Sequence, residues 1–475
     1  MIPNWLLQRA YLTPNRIAIY DETETISFAE LHERTAKRAR QFAYLGVKKG
    51  DVVAILMKNS AHMVEVIHAL HYIGAIVLLQ NVRLSVEEVK WQLEHSGARF
   101  VICDEPFRDE RAIEWGEFVK LRERDEKCQT MYNLDDVATI MYTSGTTGKP
   151  KGVMQTYGNH WWSAIGSALN LGLREDDCWL AAVPFFHVSG LSILMRSVIY
   201  GIGVYIMSSF DAKRINELIF QQNITMMSAV STMVQQMIQE LKYPYPSSFR
   251  CMLVGGGPVP LPLLQSCADW NIPVYQTYGM TETASQVATL SPDARHKHGS
   301  AGKPLFHMNI RIEKEGKQLN ANEVGEIVVK GPSVMKGYWN NEQATAAVLK
   351  DGWLYTGDIG YMDDEGFLYV LDRRSDLIIS GGENVYPAEI ESVLLQHEAV
   401  KEAGVVGVAD ERWGQVPCAF VVLHDVTATE EQLKQFCMNK LAKYKVPKRI
   451  YIVDHLPRNA ANKLMRHKLK NWINE

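Results

Sequence analysis

The chain has 475 residues, of which 47% are hydrophobic, so it is long enough for more than one domain and apolar enough to build globular cores. Its 50 Lys and Arg residues against 54 Asp and Glu residues give a net charge of −4 without any basic block. This balance argues against nucleic acid as the main partner. The seven cysteines are scattered along the sequence, which argues against a zinc site or a disulfide scaffold.

The N-terminal segment has no basic stretch followed by an apolar run, and no apolar run in the sequence is long enough to span a bilayer. We therefore expect a cytoplasmic protein without a membrane span. The sequence does not determine the oligomeric state, and a homo-oligomer remains open.

Short apolar segments alternate with amphipathic helical segments from residue 17 to residue 102. Residues 52–56 are a typical strand of this region and residues 63–70 lie in a typical helix. The same alternation returns after residue 152, with strands predicted at 179–183, 203–207 and 251–254. This pattern predicts two packed α/β subdomains.

Closely spaced strands and turns replace this pattern after residue 302, as in segments 309–312, 325–330 and 366–371. A polar run at residues 372–376 then precedes a further unit with helices and strands. We expect a β-rich subdomain to end near this run, which divides the chain into domains 1–374 and 375–475.

The segment 142–152 reads Tyr-Thr-Ser-Gly-Thr-Thr-Gly-Lys-Pro-Lys-Gly and follows a predicted strand at 137–141. Its glycines allow close backbone approach to an anion, while its hydroxyls and two lysines supply donors and positive charge. Lys149 is followed by Pro150, which excludes the Walker pattern. A flexible surface linker is the alternative, but the apolar flanks and the lysines disfavour it.

This loop resembles the phosphate-binding signature of the adenylate-forming superfamily, which includes acyl-CoA synthetases, luciferases and the adenylation domains of peptide synthetases. Later segments resemble the family's other signatures in the family's order: 278–282, 355–358, 372–376 with 380–384, and Lys463 near the C-terminus. Five ordered blocks across most of the chain are far more specific than one glycine-rich motif.

The resemblance implies an α/β protein with a large N-terminal domain of two α/β subdomains plus a β-rich subdomain, and a small mobile α+β C-terminal domain. It also implies ATP, Mg²⁺ and coenzyme A as ligands. In this family a carboxylic acid attacks the α-phosphorus of ATP, and the acyl group then passes from the adenylate to a thiol.

The resemblance also assigns residues to the nucleotide. Glu282, in a turn after a strand predicted at 274–278, would bind Mg²⁺, and Thr281 would contact the α-phosphate. Asp358, in a turn with Thr356 and Gly357, would bind the ribose hydroxyls, and Arg373 would add a cation beside the ribose and phosphates. Judged alone, each charged residue could equally be a solvated turn residue. The other implied ATP-binding residues are Thr143, Ser144, Gly145, Thr146, Thr147, Gly148, Lys149, Lys151, Gly256, Gly257, Thr277, Tyr278 and Gly279.

Lys463 would stabilise the negative charge that develops during adenylation. Members of the family rotate the C-terminal domain between the two half-reactions, and the hinge position falls at Ser375, where most relatives carry Asp or Lys. Gly381 and Gly382 would line the passage for the pantetheine arm of coenzyme A.

The segment 184–191 should open a helix that runs through Arg196 and borders the acyl pocket, with His187 as its gate or catalytic residue. A histidine that only satisfies the helix start is the alternative. Segments 158–160, 187–191 and 380–387 most resemble the acid–CoA ligases of menaquinone biosynthesis, which activate 2-succinylbenzoate.

That acid carries a second carboxylate on its aromatic ring, which needs a cation or donors inside the pocket. Arg196, with Ser189, Gly190 and Ser192, is the candidate for that end of the pocket. Two alternatives stay open. One is a ligase for medium-chain fatty or aryl acids, and the other is a stand-alone adenylation domain that loads a carrier protein.

Overall fold

The structure is a computed structural model of the chain. It describes residues 1–125, 127–143, 150–257, 259–291, 294, 296–297, 299–373, 376–380, 383–410, 413–424, 427–441, 443–459 and 464–473. For residues 372, 373, 379, 383 and 384 it describes the backbone alone.

The first part of the chain alternates strands and helices as predicted. Serine side chains cap the N-termini of three of its helices, and strands in this part are buried on both faces, as expected of a parallel sheet covered by helices. The elements are β1 (Ile2–Pro3), α1 (Trp5–Leu12), β2 (Ile17–Tyr20), β3 (Thr25–Ser27), α2 (Phe28–Tyr44), β4 (Val52–Leu56), α3 (Ala61–Ile73), β5 (Ile76–Leu79), α4 (Val86–Ser96), β6 (Phe100–Cys103), β7 (Ala112–Glu114), α5 (Trp115–Phe118), β8 (Met131–Tyr132), β9 (Val137–Thr143), β10 (Lys151–Thr156) and α6 (Tyr157–Leu171).

The alternation continues to residue 289, and the three strands predicted here are present within one or two residues of the expected bounds. The elements are β11 (Cys178–Ala181), α7 (Val188–Tyr200), β12 (Gly203–Ile206), α8 (Ala212–Gln221), β13 (Met226–Ala229), α9 (Ser231–Glu240), β14 (Cys251–Val254), α10 (Leu261–Asp269), β15 (Val274–Met280), a 3₁₀ turn (Thr281–Thr283) and β16 (Ser285–Thr289).

Strands dominate the next region, which confirms the expected change of pattern. Its elements are β17 (Lys303–Pro304), β18 (Asn309–Lys314), β19 (Lys317–Gln318), β20 (Gly325–Lys330), β21 (Gly337–Tyr338), α11 (Glu342–Val348), β22 (Leu349–Lys350), β23 (Trp353–Met362) and β24 (Leu368–Arg373). The C-terminal unit contains β25 (Ile378–Ser380), β26 (Glu383–Val385), α12 (Pro387–Leu394), β27 (Val400–Asp410), β28 (Gly414–Leu423), α13 (Glu430–Met438), β29 (Arg449–Ile452) and α14 (Arg466–Asn471).

Two large sheets form the α/β part of the described chain. One has the order β21-β10-β9-β5-β4-β6-β7, and the other has the order β17-β16-β15-β14-β13-β11-β12-β2-β3. The alternation from residue 17 to residue 102 therefore does not form one sheet, because β2 pairs in parallel with β12, far along the chain. Strands β11, β13, β14 and β15 run parallel, so their carboxyl ends meet at one edge of the second sheet.

One cluster of buried hydrophobic side chains joins the two large sheets and includes Val53 and Val77 of the first sheet and Leu180 and Val204 of the second. Alternate residues of the first sheet, such as Leu78, belong to a separate cluster. Separate clusters lie in the β-rich region and in the C-terminal unit. Within the described residues, none of the helices combines the length and apolarity that a membrane crossing needs.

Three histidines in this core are buried, namely His68, His71 and His160, and burial lowers the pKa of each of them. Burial lowers the pKa of His68, in α3, to about 4 and the pKa of His160, in α6, to about 4, from an ordinary value of 6.5. Both side chains are therefore neutral in the folded protein at neutral pH, whereas they bind protons below pH 6.5 in the unfolded chain.

We expect the folded state to lose stability as the pH falls from about 6.5 towards 4, because the unfolded state then binds more protons. His68 and His160 should each cost up to about 2 kcal/mol between pH 7.5 and pH 5. Thermal unfolding at a series of pH values measures this slope. His68→Leu should flatten it, and the exposed control His424→Gln should not; a midpoint that is independent of pH would contradict the expectation.

Candidate active site

The predicted phosphate loop connects two strands of one hairpin. Thr143 ends β9 and pairs with Lys151 at the start of β10, while the loop residues Ser144, Gly145, Thr146, Thr147, Gly148 and Lys149 lie outside the described residues. The ammonium nitrogen of Lys151 lies 5.2 Å from the ring centroid of Tyr338. The hairpin thus brings one of the predicted phosphate-binding lysines next to a strand of the first sheet that comes much later in the chain.

Glu282 lies in the 3₁₀ turn that follows β15, close to where the sequence predicts it. The Tyr338 hydroxyl donates a hydrogen bond of 2.9 Å to Oε1 of Glu282, and no described residue hydrogen-bonds its Oε2. Tyr338 therefore joins Lys151 and Glu282, two residues that the sequence assigns to one ligand. No motif in the sequence points to Tyr338, because a lone tyrosine in a β-rich region is typical of a packing residue.

The predicted Mg²⁺ site rests on Glu282 alone. The described residues contain no group of three or more His, Cys, Asp or Glu side chains that could hold a metal ion. A cation that keeps several waters and binds substrate phosphates needs only one or two protein carboxylates, so a glutamate with one unshared oxygen fits Mg²⁺.

Asp358 lies in a bulge of β23 and not in the turn that the sequence suggests. The register between β20 and β23 shifts between Glu326 and Val328 of β20. Residues 356–358 of β23 therefore have no partner in this ladder, and Gly357 among them has a φ of +73°. The bulge turns the carboxylate inward, where Asp358 is 6% exposed.

Two further predicted residues meet Asp358. The Tyr278 hydroxyl donates a 2.8 Å hydrogen bond to Oδ2 of Asp358, which links β15 to the β-rich region. Arg373, whose backbone alone is described, is the cross-strand partner of Asp358 in β24. The structure therefore gathers Tyr278, Asp358 and Arg373, which are far apart in sequence, at one place.

The glycines of the expected adenine wall follow β14 at the carboxyl edge of the second sheet. Gly256 has a φ of +83°, which favours glycine, and Gly257 has open space where a Cβ would be. Thr277, on neighbouring β15, is held by the Ala288 carbonyl at 2.9 Å. Gly279 is required for packing, since a Cβ there would lie 1.7 Å from the Ser285 carbonyl oxygen.

The predicted acyl segment opens helix α7 as expected. His187 is the N-cap of this helix, but its side chain makes no capping bond, and its Nε2 is buried without a partner among the described residues. Burial, with a smaller contribution from Arg83, lowers the pKa of His187 to about 4. The imidazole is therefore neutral at pH 7, with an unused ring nitrogen.

Arg196 is a buried cation on α7, and only part of its guanidinium group has hydrogen-bond partners. It is 1% exposed, and burial lowers the pKa of its guanidinium, which still stays charged at neutral pH. Its Nη2 donates a 2.9 Å bond to Oε1 of Gln286, and its Cζ lies 5.2 Å from the Trp179 ring centroid. Its Nε and Nη1 are buried without a partner, and no carboxylate among the described residues forms an ion pair with it.

Local packing and hydrogen bonding account for small residues that lie near Arg196 in the sequence. A Cβ on Gly190 would lie 2.2 Å from the Pro184 carbonyl oxygen, so packing alone requires glycine there. The Ser192 hydroxyl donates to the Ser189 carbonyl at 3.0 Å, while Ser189 itself is exposed. Contact of these three residues with the acid stays a prediction.

The C-terminal candidates Lys463, Ser375, Gly381 and Gly382 lie outside the described residues. The chain around Lys463 is nevertheless anchored on both sides. Arg458 and Leu464 form an isolated β-bridge, Arg458 pairs with Glu402 of β27 at 2.6 Å, and Arg466 pairs with Glu391 of α12 at 2.7 Å.

The chain is similar to known proteins along most of its length. A family model described as "AMP-binding enzyme" matches residues 6–339, and one described as "AMP-binding enzyme C-terminal domain" matches residues 389–463. A protein of Geobacillus sp. strain WCH70 named 2-succinylbenzoate–CoA ligase is 65% identical over 99% of this chain and 98% of its own length.

Solved structures are similar along nearly the whole chain. The o-succinylbenzoate CoA synthetase (MenE) of Bacillus subtilis in complex with the acyl-adenylate intermediate OSB-AMP is 51% identical, covers 98% of each chain and has a TM-score of 0.94. The same B. subtilis protein in complex with ATP and magnesium ion also has a TM-score of 0.94 at 51% identity, over 98% of this chain and 99% of that one.

These matches confirm the resemblance found in the sequence, and they confirm an α/β fold with a large N-terminal and a small C-terminal domain. The chain belongs to the AMP-binding enzyme family.

Proposed function

We propose that this protein is an ATP-dependent 2-succinylbenzoate–CoA ligase of menaquinone biosynthesis. The observation that carries the proposal is the buried guanidinium of Arg196, which lacks a carboxylate partner among the described residues. The full-length similarity to proteins named 2-succinylbenzoate–CoA ligase supports the same substrate.

The reaction has two steps. First, the carboxylate on the succinyl arm attacks the α-phosphorus of ATP, which forms the acyl-adenylate and releases pyrophosphate. Then the thiolate of coenzyme A attacks the acyl carbonyl carbon, and the carbon–oxygen bond to AMP breaks. Both reactants of the first step are anions, so the site must offset their repulsion and hold them in line.

The residues present fit a magnesium nucleotide. Glu282 offers an oxygen that no described residue bonds, and the left-handed Gly256 allows close approach to backbone. Bound Mg²⁺ would neutralise phosphate charge at this carboxylate. Thr281 would contact the α-phosphate, Asp358 would accept from the ribose hydroxyls, and Lys151 with residues 143–149 would hold the outer phosphates.

Arg196 distinguishes the proposed acid from simpler acids. A buried cation without a counter-ion costs several kcal/mol, of the order of 3 kcal/mol, and the Trp179 ring offsets only part of that cost. The aromatic carboxylate of 2-succinylbenzoate would supply the missing charge and two acceptors. A fatty acid or a simple aryl acid would leave the cation unpaired, which disfavours the alternative ligases.

The C-terminal domain, residues 375–475, would bring Lys463 to the first step and rotate about Ser375 for the second. A TM-score of 0.94 over 98% of the chain requires both domains to superpose together on the relative's adenylate complex. This similarity supports an adenylation orientation of the domain. Gly381 and Gly382 would line the coenzyme A passage after rotation. Cytoplasmic location and a homo-oligomer also stay predictions.

Pyrophosphate release, measured across a set of acids with ATP, Mg²⁺ and coenzyme A, tests the function. We expect the highest kcat/KM with 2-succinylbenzoate and a thioester of coenzyme A as the product. Equal or higher activity with medium-chain fatty acids would refute the substrate, and acyl transfer to a carrier protein without use of coenzyme A would refute the acceptor.

Arg196→Met should raise the KM for 2-succinylbenzoate and lower kcat/KM about 100-fold, because a buried charge-assisted pair is worth roughly 3 kcal/mol. The same change removes a buried cation that has no counter-ion. The midpoint temperature of thermal unfolding without ligand should therefore stay the same or rise. Steady-state kinetics and a melting curve check both results. An unchanged KM for the acid would show that Arg196 does not bind it.

Lys463→Ala should reduce adenylate formation at least about 100-fold, because a point charge on the developing negative charge is lost. Transfer of the acyl group from preformed adenylate to coenzyme A should keep most of its rate. The exposed lysine Lys470, changed to alanine, is the control and should affect neither half-reaction. Equal losses in the two half-reactions of the Lys463 variant would argue against this role.

A further inference from the structure

A buried chain of hydrogen bonds joins the phosphate-loop hairpin to the Thr281–Glu282 turn. Gln155 of β10 donates from Nε2 to the Thr281 carbonyl oxygen at 2.7 Å, and its Oε1 accepts from the Thr139 hydroxyl at 3.1 Å. The Thr139 hydroxyl also lies 2.9 Å from Nε2 of His160. Gln155 and Thr139 are 0% exposed, so the two bonds of the Thr139 hydroxyl are shielded from water, while the bond to the Thr281 carbonyl is partly buried.

The direction of every bond in this chain is determined. The Thr139 hydroxyl has a single hydrogen, which it gives to Gln155, so His160 must donate from Nε2. A charged His160 is not needed, and burial holds the imidazole neutral. Within this series of hydrogen bonds, Gln155 is the residue that contacts the turn. Its amide oxygen accepts from Thr139, and its amide nitrogen donates to the Thr281 carbonyl.

Hydrogen bonds hold both of the peptide groups that flank the Cα of Glu282. Gln155 holds the carbonyl of Thr281, and the backbone N–H of Met335 donates to the carbonyl of Glu282 at 2.8 Å. Because a peptide group is planar, holding the two carbonyls restricts the φ and ψ angles of Glu282. The Tyr338 hydroxyl then restricts the carboxylate itself.

Side chains of helix α6 also hydrogen-bond to the backbone near this turn. The Asn159 side chain donates to the carbonyls of Pro332 and Val334 at 2.9 and 2.8 Å, just before Met335. The Ser163 hydroxyl donates to the Ala284 carbonyl at 2.6 Å. These contacts hold the backbone on either side of the glutamate. The hairpin itself reaches the turn by two routes among the described residues: the Gln155 side chain bonds the Thr281 carbonyl, and β21, which pairs with β10, carries Tyr338 to Glu282.

We propose that Gln155 is a positioning residue that sets the magnesium-binding glutamate against the phosphate loop. The inference rests on the proposed function, in which Glu282 binds Mg²⁺ and residues 143–151 bind the phosphates. Loss of the Gln155 amide frees the Thr281 carbonyl and leaves the turn tied to the hairpin through β21 alone, so the metal and the outer phosphates are held less firmly in one geometry. Adenylation depends on this geometry, whereas thioester formation from adenylate does not.

Gln155→Leu tests the proposal, since it keeps the approximate volume and removes both hydrogen bonds. We expect the concentration of free Mg²⁺ that gives half-maximal adenylation to rise about tenfold, with partial recovery of the rate at saturating Mg²⁺. Thioester formation from preformed adenylate should change less than about twofold. Thr139→Val preserves shape and removes the two bonds of the Thr139 hydroxyl but leaves the bond from Gln155 to the Thr281 carbonyl, so it should move the Mg²⁺ requirement in the same direction by a smaller factor.

Gln41→Leu is the matched control. Gln41 is also 0% exposed, and its amide holds the carbonyls of Val119 and Leu121 at 2.9 and 3.1 Å, away from the residues of the site. Its variant should lose similar thermal stability without a change in the Mg²⁺ requirement.

An unchanged Mg²⁺ requirement in both Gln155→Leu and Thr139→Val, or a parallel fall of both half-reactions, would overturn the positioning role. If Gln155→Leu does not fold, Thr139→Val alone decides the outcome. Failure of the unaltered protein to activate 2-succinylbenzoate would instead refute the proposed function, so the two failures are distinguishable.

Discussion

Two consecutive non-glycine residues, Ala284 and Ser285, have positive φ angles of 50° and 103°, and the site depends on the contacts that keep them there. Such backbone costs of the order of 1–3 kcal/mol per residue and persists only when its surroundings determine it. Ser163 bonds the Ala284 carbonyl, and Gly279 leaves room for the Ser285 carbonyl. Glu282 lies just before these two residues and Gln286, the partner of Arg196, lies just after them, so one short segment joins the proposed magnesium-binding and acid-binding residues.

Charge explains why this segment must be rigid. The first half-reaction brings two anions together, and a cation compensates them only if it is held at a fixed distance. On the acid side, Arg196 is rigid because it is buried between the Trp179 ring and Gln286. On the nucleotide side, Glu282 is restricted by Tyr338 and by the two backbone contacts of its turn. Glu282 directly follows β15, at the carboxyl edge of the parallel strands, where α/β proteins of this type bind ligands.

Local patterns predicted much of the fold, because apolar strands and amphipathic helices leave a periodic trace in the sequence. Pairing between strands that are distant in the sequence leaves no such periodic pattern. The sequence therefore does not predict that β2 lies beside β12, or that Asp358 lies in a bulge and not in a turn. The nucleotide candidates came from ordered motifs, and the structure brings Tyr278, Asp358 and the Arg373 backbone together. Gln155 and Tyr338 carry no motif of their own, and only their hydrogen bonds identify them.

The central claim is that the buried cation of Arg196 selects an aromatic acid with a second carboxylate. The most direct measurement compares kcat/KM for 2-succinylbenzoate and for 4-oxo-4-phenylbutanoate, which has the same succinyl arm and ring but lacks the ring carboxylate. The account predicts a preference of about 100-fold or more for 2-succinylbenzoate, as expected when a buried charge loses its partner. Equal kcat/KM values for the two acids would contradict it.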